Sequence, residues 1–343
     1  MKELVVISGK GGTGKTSVVA AFASLASHKV LADCDVDAAD LHLVLAPEIR
    51  SRHEFRSGHE AVIRQEACIG CGACLANCRF GAIRQTSGSD ITWMFRSSAG
   101  DCNDCDVCLR SCPLRAADMI KVMKETSGDS ARVTLEIDPI LCEGCGVCVD
   151  ICPAKAIDFP ERLSGEWFIS DTRYGPMVHA RLGVAAENSG KLVSIVRQQA
   201  RQLAKDNDKD LVLIDGPPGI GCPVIATLTG ASLVLIVTEP TLSGQHDLTR
   251  VAELARHFRI PAAVCVNKWD LNPAMSEAIE ASASALGAKP SGRIRYDRAV
   301  TAAQVAGKNV IEYTNDGVSQ DIKDLWINIE SLLGSDDSSN DTV

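Results

Sequence analysis

Twelve of the fifteen cysteines fall between Cys68 and Cys152. They make three tetrads of one spacing, C-x2-C-x2-C-x3-C: Cys68, Cys71, Cys74 and Cys78, then Cys102, Cys105, Cys108 and Cys112, then Cys142, Cys145, Cys148 and Cys152. Three thiolates on one tight loop can embrace a corner of an iron–sulfur cubane, with the fourth closing it or reaching a neighbouring cluster. Zinc more usually takes two CxxC pairs across a longer spacer. A disulfide framework suits a short secreted chain better than one of 343 residues. The spacing therefore predicts two or three [4Fe–4S] clusters.

A different chemistry opens the chain. Gly9, Lys10, Gly11, Gly12, Thr13, Gly14, Lys15 and Thr16 follow the apolar run Leu4–Ile7 and lead at Ser17 into a helical stretch. Glycines at such a turn let successive backbone N–H groups curl round phosphate oxygens, and the helix N-terminus adds partial positive charge. Lys15 would reach the terminal phosphates, and the Thr16 hydroxyl would ligate Mg²⁺. Two acidic segments close other apolar runs: Asp33-Cys34-Asp35-Val36-Asp37 and Asp215-Gly216-Pro217-Pro218-Gly219. Carboxylates at strand ends of an open α/β sheet lie where ligands bind, although either alone could cap a helix. Val266-Asn267-Lys268-Trp269-Asp270 ends a further run and matches an Asn-Lys-x-Asp pattern that reads guanine; a plain strand-to-turn Asn is the alternative.

These groups need a frame. Leu4–Ile7, Val30–Ala32, Leu211–Ile214, Leu233–Val237 and Ala262–Val266 are apolar without alternation, as in strands buried on both faces of a parallel sheet. Helical stretches such as Ser17–Ser27, Leu192–Lys205 and Leu248–His257 lie between them. The alternation predicts an α/β class with a doubly wound, mostly parallel sheet, interrupted by the cysteine block. The expected domains are 1–62 with 163–334 as a split nucleotide-binding domain, 63–162 as the insert, and 335–343 as a disordered acidic tail. Near the end, Ile322, Leu325, Trp326, Ile329, Leu332 and Leu333 recur at helical spacing with Lys323 among acids, which predicts packing onto the core and not onto lipid.

Composition narrows the function. Apolar residues make up 45% and charged residues 23%, ordinary for a globular protein. A net charge of −9 with 4% aromatics argues against a nucleic-acid partner. No apolar run reaches the ~18 residues of a membrane helix. The opening MKELVVISGK lacks the pattern of a secretion signal, so a cytoplasmic location with reduced thiols and no membrane partner is expected.

With Lys10 directly after the first glycine, Lys-Gly-Gly-x-Gly-Lys-Thr resembles the deviant Walker A family of MinD, ParA, Mrp-type cluster carriers and the nitrogenase iron protein. The resemblance implies an ATP-dependent homodimer, or a heterodimer with a paralogue, in which Lys10 reaches the nucleotide across the interface. It implies that Asp35 directs the attacking water with Asp33 and Asp37 as helpers, and that Asp215 holds Mg²⁺ through water. It also sets Asn267, with Lys268 beside it, at the adenine, favouring ATP over GTP. The first and third tetrads share Gly after the second Cys and a closing Ala-Ile, and they resemble the halves of a two-[4Fe–4S] bacterial-type ferredoxin, an α+β fold. The middle tetrad lacks those glycines, and Arg79 stands where a proline usually follows the fourth Cys. Which fourth cysteine serves which cluster stays open.

Together with Gly292-Arg293-Ile294-Arg295-Tyr296-Asp297, these features resemble MinD-superfamily P-loop ATPases containing an inserted ferredoxin domain. The resemblance implies ATP-gated electron transfer through the clusters. The alternatives are an ATP-dependent cluster assembly or carrier protein, and a MinD/ParA-like positioning switch with a redox sensor. Residues 63–160 hold 10 Lys and Arg against 13 Asp and Glu. Three clusters, each about −2 with its thiolates, would take that segment to about −9, a surface for a redox or cluster-acceptor protein with a basic docking face. Cys222 has no CxxC companion and reads as a core thiol, as do Cys34 and Cys265. The Arg173–Arg181 segment could couple the insert to the nucleotide, although a lone His179 is more often structural.

Overall fold

In the computed structural model, which describes residues 1–88, 133–183 and 189–335, the chain divides into two units. One is Met1–Phe55 with the chain from Gly165 onward; the other is Arg56–Ser164. The described strands are β1 (Lys2–Ser8), β2 (Lys29–Asp33), β3 (Glu48–His59), β4 (Val62–Ile63), β5 (Ile83–Ser87), β6 (Thr134–Ile137), β7 (Ile157–Asp158), β8 (Glu161–Thr172), β9 (Gly175–Leu182), β10 (Leu211–Pro218), β11 (Leu233–Thr238), β12 (Ala262–Asn267) and β13 (Lys289–Ile294). The middle tetrad, Cys102, Cys105, Cys108 and Cys112, and the tail beyond Ser335 lie outside the described residues.

The first unit carries a nine-stranded sheet in the order β13-β12-β11-β1-β10-β2-β9-β8-β3. Every pairing from β13 through β9 is parallel, and β8 returns antiparallel to β9. The apolar runs account for the middle: all six residues of β11 and all five of β2 are buried. Four strands escape that pattern. In β3 (EIRSRHEFRSGH) most side chains are exposed, so its sequence reads as a charged loop. The chain passes between the two units at 55/56, within β3, and at 164/165, within β8.

Helices cover both faces. Lys15–Leu25, Leu41–Leu45 and Val318–Ser335 pack on one side, and Ser189–Asp206, Cys222–Leu228, Leu242–His257 and Pro273–Ala285 on the other. The last helix buries Ile322, Leu325, Trp326 and Ile329, with the Trp326 ring 4.8 Å from that of Phe22. Its amphipathic stripe is therefore spent on the core. No helix among the described residues is long and apolar enough to cross a membrane.

At the sheet edge where β1 begins, buried Glu3 pairs with Arg197 and Arg201 of helix Ser189–Asp206. Arg197 also donates to the carbonyls of Ala226 (2.7 Å) and Thr229 (2.9 Å), groups that end helix Cys222–Leu228 and would otherwise lack partners. This end is held fast, and the opposite edge is left to carry chemistry.

The second unit is small. β4 pairs antiparallel with β7 and β5 with β6, around a core of Ala61, Cys74, Ile83, Val133, Leu135 and Ile157. Two short helices, Ala73–Asn77 and Val147–Asp150, each start from the glycine after a tetrad's second Cys. Gly72 (φ 69°) and Gly146 (φ 76°) both take the left-handed conformation that side chains avoid.

Replacing Trp326 by Ala should lower the unfolding free energy of the first unit by about 3–5 kcal/mol, seen as an earlier midpoint in urea titration.

Candidate functional site

The C-terminal edge of the parallel strands gathers the predicted polar groups. β1 ends at Ser8, whose hydroxyl donates to the Lys10 carbonyl (2.8 Å), while Gly219 N–H donates to the Ser8 carbonyl (2.9 Å). The loop closes at Gly14 with φ 90°, and helix Lys15–Leu25 follows. A Cβ on Gly14 would lie 2.4 Å from Asn267 Nδ2, so backbone conformation and space both exclude a side chain there.

Lys15 lies almost out of solvent, its Nζ 2.6 Å from Asp215 Oδ1 and 3.3 Å from Asp35 Oδ2. Burial pulls its pKa down, but the Asp215 and Asp35 charges outweigh burial and hold the ammonium above its ordinary value. Register places Asp33 of β2 opposite Asp215 of β10. Full burial, then the Asp215 charge, push the Asp33 carboxyl well above the usual carboxylate range. Asp33 Oδ1 accepts the Asp35 N–H at 3.1 Å, fixing the turn that presents Asp35. Burial likewise raises Asp35, against the pull of Lys15. Asp37 is exposed. Among the described residues Asp33 Oδ2, Asp215 Oδ2 and Thr13 Oγ1 are buried without a hydrogen-bond partner.

A cleft of about 550 Å³ opens above this cluster, in the range of small-molecule sites. Gly11 to Val18, Asp35, Asn267 and Lys268 line it, with Ile294 to Asp297 on the far rim. Asn267 Nδ2 donates to the Thr13 carbonyl (2.7 Å) and its Oδ1 accepts the Lys268 N–H (3.0 Å), so the amide ties β12 to the loop. Lys268 Nζ reaches Glu239 Oε1 (2.6 Å) and the Gly12 carbonyl (3.5 Å). Lys10 Nζ lies 3.6 Å from Glu239 Oε2 and 3.2 Å from Ser243 Oγ. Thr16 Oγ1 is 3.4 Å from Lys15 Nζ, and Ser17 Oγ accepts from Gln304 Nε2 (2.9 Å).

Glu239, Ser243 and Gln304 were not foreseen. Glu239 directly follows β11, and the strand-end criterion that singled out Asp215 would have found it. Two expectations change. Cys222 is exposed, not a core thiol, because it opens a helix at the surface; Cys34 and Cys265 are fully buried, and burial pushes both thiols far up. Arg173 pairs with Glu312 (3.0 Å) and donates to the Val44 carbonyl (3.0 Å), a packing role. His179 meets Ser170 Oγ at 2.9 Å, and burial, then His42, lower its pKa to about 4, so it is neutral at pH 7.

In the second unit the thiols line two cavities. Cys68, Cys71 and Cys74 share one with Cys152; Cys78 shares the other with Cys142, Cys145 and Cys148. Each cavity thus combines three cysteines of one tetrad with the fourth of the other. Burial, then neighbouring cysteines, push Cys74 up to about 12 and Cys148 to about 11. Among the described residues no three His, Cys, Asp or Glu side chains are drawn close enough to hold a metal ion as they stand.

A strand, a glycine loop, a buried lysine and two strand-end acids on a mostly parallel sheet define a P-loop nucleotide-binding protein. The chain belongs to the CobQ/CobB/MinD/ParA nucleotide-binding domain family, whose model matches residues 4–310. The protein MJ0578 of Methanocaldococcus jannaschii is 32% identical over 276 residues, 79% of each chain. The fold is similar to that of the Pyrococcus furiosus cell division ATPase MinD (TM-score 0.50, 16% identity, 96% of this chain and 99% of that one). It is also similar to the septum site-determining protein MinD of Pyrococcus horikoshii, solved with Mg-ADP (TM-score 0.50, 14% identity, 97% of each chain).

Gly14→Ala should weaken binding of a fluorescent ATP analogue at least about ten-fold, since a side chain at φ 90° is strained and displaces Asn267.

Proposed function

We propose that the first unit is an ATP-hydrolysing, dimer-forming switch of the MinD/ParA kind. The observation that carries this reading is the burial of Lys15 between Asp215 and Asp35, beside acidic oxygens with no partner among the described residues. Such a cluster suits a phosphate chain and its cation. Lys15 would turn to the terminal phosphates, while Thr16 and Asp215 would hold Mg²⁺, which neutralises phosphate charge when bound. Asp35, presented by Asp33, would orient the water. Lys10 would leave the rim for the nucleotide of a second protomer, and Asn267 and Lys268 border the space for the adenine. The Mg-ADP of the Pyrococcus horikoshii MinD supports the nucleotide class.

Lys15→Ala should abolish ATP binding. Lys10→Ala should bind ATP yet hydrolyse it at least about 100-fold more slowly and remain monomeric, as read by phosphate release and sedimentation. Normal hydrolysis by Lys10→Ala would overturn the dimer reading.

The thiol cavities favour a second property. Four thiols around each cavity match the tetrathiolate set of a [4Fe–4S] cluster, so the second unit is read as a ferredoxin-like holder of two clusters. Cys68, Cys71, Cys74 and Cys152 would hold one, and Cys78, Cys142, Cys145 and Cys148 the other. Bound clusters supply one-electron transfer. The switch would then govern when a redox or acceptor partner engages this unit.

After anaerobic reconstitution, Cys68→Ser and Cys152→Ser should each lose the same cluster, so that the double variant loses no more iron than either alone. Cys68→Ser with Cys78→Ser should lose both. A chain without bound iron and sulfide would overturn the cluster reading.

A further inference from the structure

Glu239 stands at the same strand-end edge as Asp215, yet no part of the nucleotide chemistry above uses it. Its side chain is 15% exposed, and its two oxygens face two different lysines. Oε1 lies 2.6 Å from Lys268 Nζ, and Oε2 lies 3.6 Å from Lys10 Nζ. Lys10 belongs to the phosphate loop, whereas Lys268 follows Asn267 at the end of β12. One carboxylate therefore bridges the phosphate side of the cleft to the base side. Ser243 Oγ, 3.2 Å from Lys10 Nζ, adds a second contact from the same protomer.

We infer that Glu239 is a positioning residue that retains Lys10 within its own protomer and so sets the concentration at which the chain dimerises on ATP. This rests on the reading above that Lys10 acts across a dimer. An ammonium cannot occupy both places, so whatever the contact inside the protomer contributes is given up on association. Each dimer gives it up twice, once per Lys10. A partly exposed pair at 3.6 Å is weak, which makes it a modulator and not a block. The closer contact with Lys268 keeps the carboxylate in place when Lys10 departs, ready to receive it after hydrolysis. Glu239 thus acts as a return station for Lys10.

The test is sedimentation of the full chain with Mg²⁺ and a non-hydrolysable ATP analogue, comparing wild type, Glu239→Gln, Ser243→Ala and Lys10→Ala. Glu239→Gln should lower the dimer dissociation constant about three- to ten-fold, and Ser243→Ala should lower it by less. Neither should dimerise in ADP. Binding of a fluorescent ATP analogue reports whether each variant is folded; should Glu239→Gln fail that check, Ser243→Ala decides the matter alone. An unchanged or raised dissociation constant in the folded variants, with Lys10→Ala monomeric, overturns the role of Glu239 and leaves the dimer reading intact. A Lys10→Ala chain that dimerises like wild type overturns both.

Discussion

One buried ammonium organises the nucleotide edge. Lys15 and Asp215 are nearly inaccessible to water, and removing one member of such a pair strands the other in a poorly solvated place at a cost of about 3–5 kcal/mol. The arrangement is stable only while positive and negative charge stay matched. A phosphate chain that drew Lys15 away would leave Asp215 and Asp35 uncompensated, and a divalent cation held there would restore the balance. Nucleotide and cation would thereby be linked through a single lysine. That linkage needs a stiff frame, which the parallel register supplies by setting Val6 beside Asp215 and Asp215 beside Asp33.

Much of this was legible in the chain itself, for a physical reason. A strand buried on both faces must be continuously apolar, so the central strands show in the sequence, and whatever follows them lies at the ligand edge. Lys15, Asp35, Asp215 and Asn267 were found that way; Lys15, Asp35 and Asn267 line one cleft, and Asp215 lies beneath it against Lys15. The other strands of this sheet gave no such signal: β3 hides its pairing behind Arg50, Arg52, His53 and Arg56, and β9 begins with Gly-Pro. Glu239 was missed because it precedes Pro240 and reads as part of a turn. Its partner Lys268 lies 29 residues on, a separation that no local pattern reveals.

The second unit shows the complementary limit. Spacing identified the thiols as a set, since cysteines three apart must share one tight loop. Spacing could not assign the fourth member of each tetrad, because that depends on how the halves meet. Antiparallel pairing of β5 with β6 and of β4 with β7 brings the halves together, and Cys152 then joins Cys68 while Cys78 joins Cys142. The glycines after the second cysteines were visible as a shared letter; their left-handed backbone explains why the letter is shared.

The central position of β1 has a consequence for how the protein is made. Strand β1 has its neighbours more than 200 residues further along the chain: Lys2 pairs with Leu211, and Leu4 with Leu213 and Leu233. At 5–20 residues per second, a partner for β1 emerges only after about 10–40 s of synthesis. Throughout that interval a seven-residue strand, six of whose residues the finished fold buries, has neither of the strands it pairs with. Closing so long a loop is entropically slow, so commitment to the fold comes late. A nascent chain of this kind depends on whatever shields an unpaired apolar strand until its second half arrives.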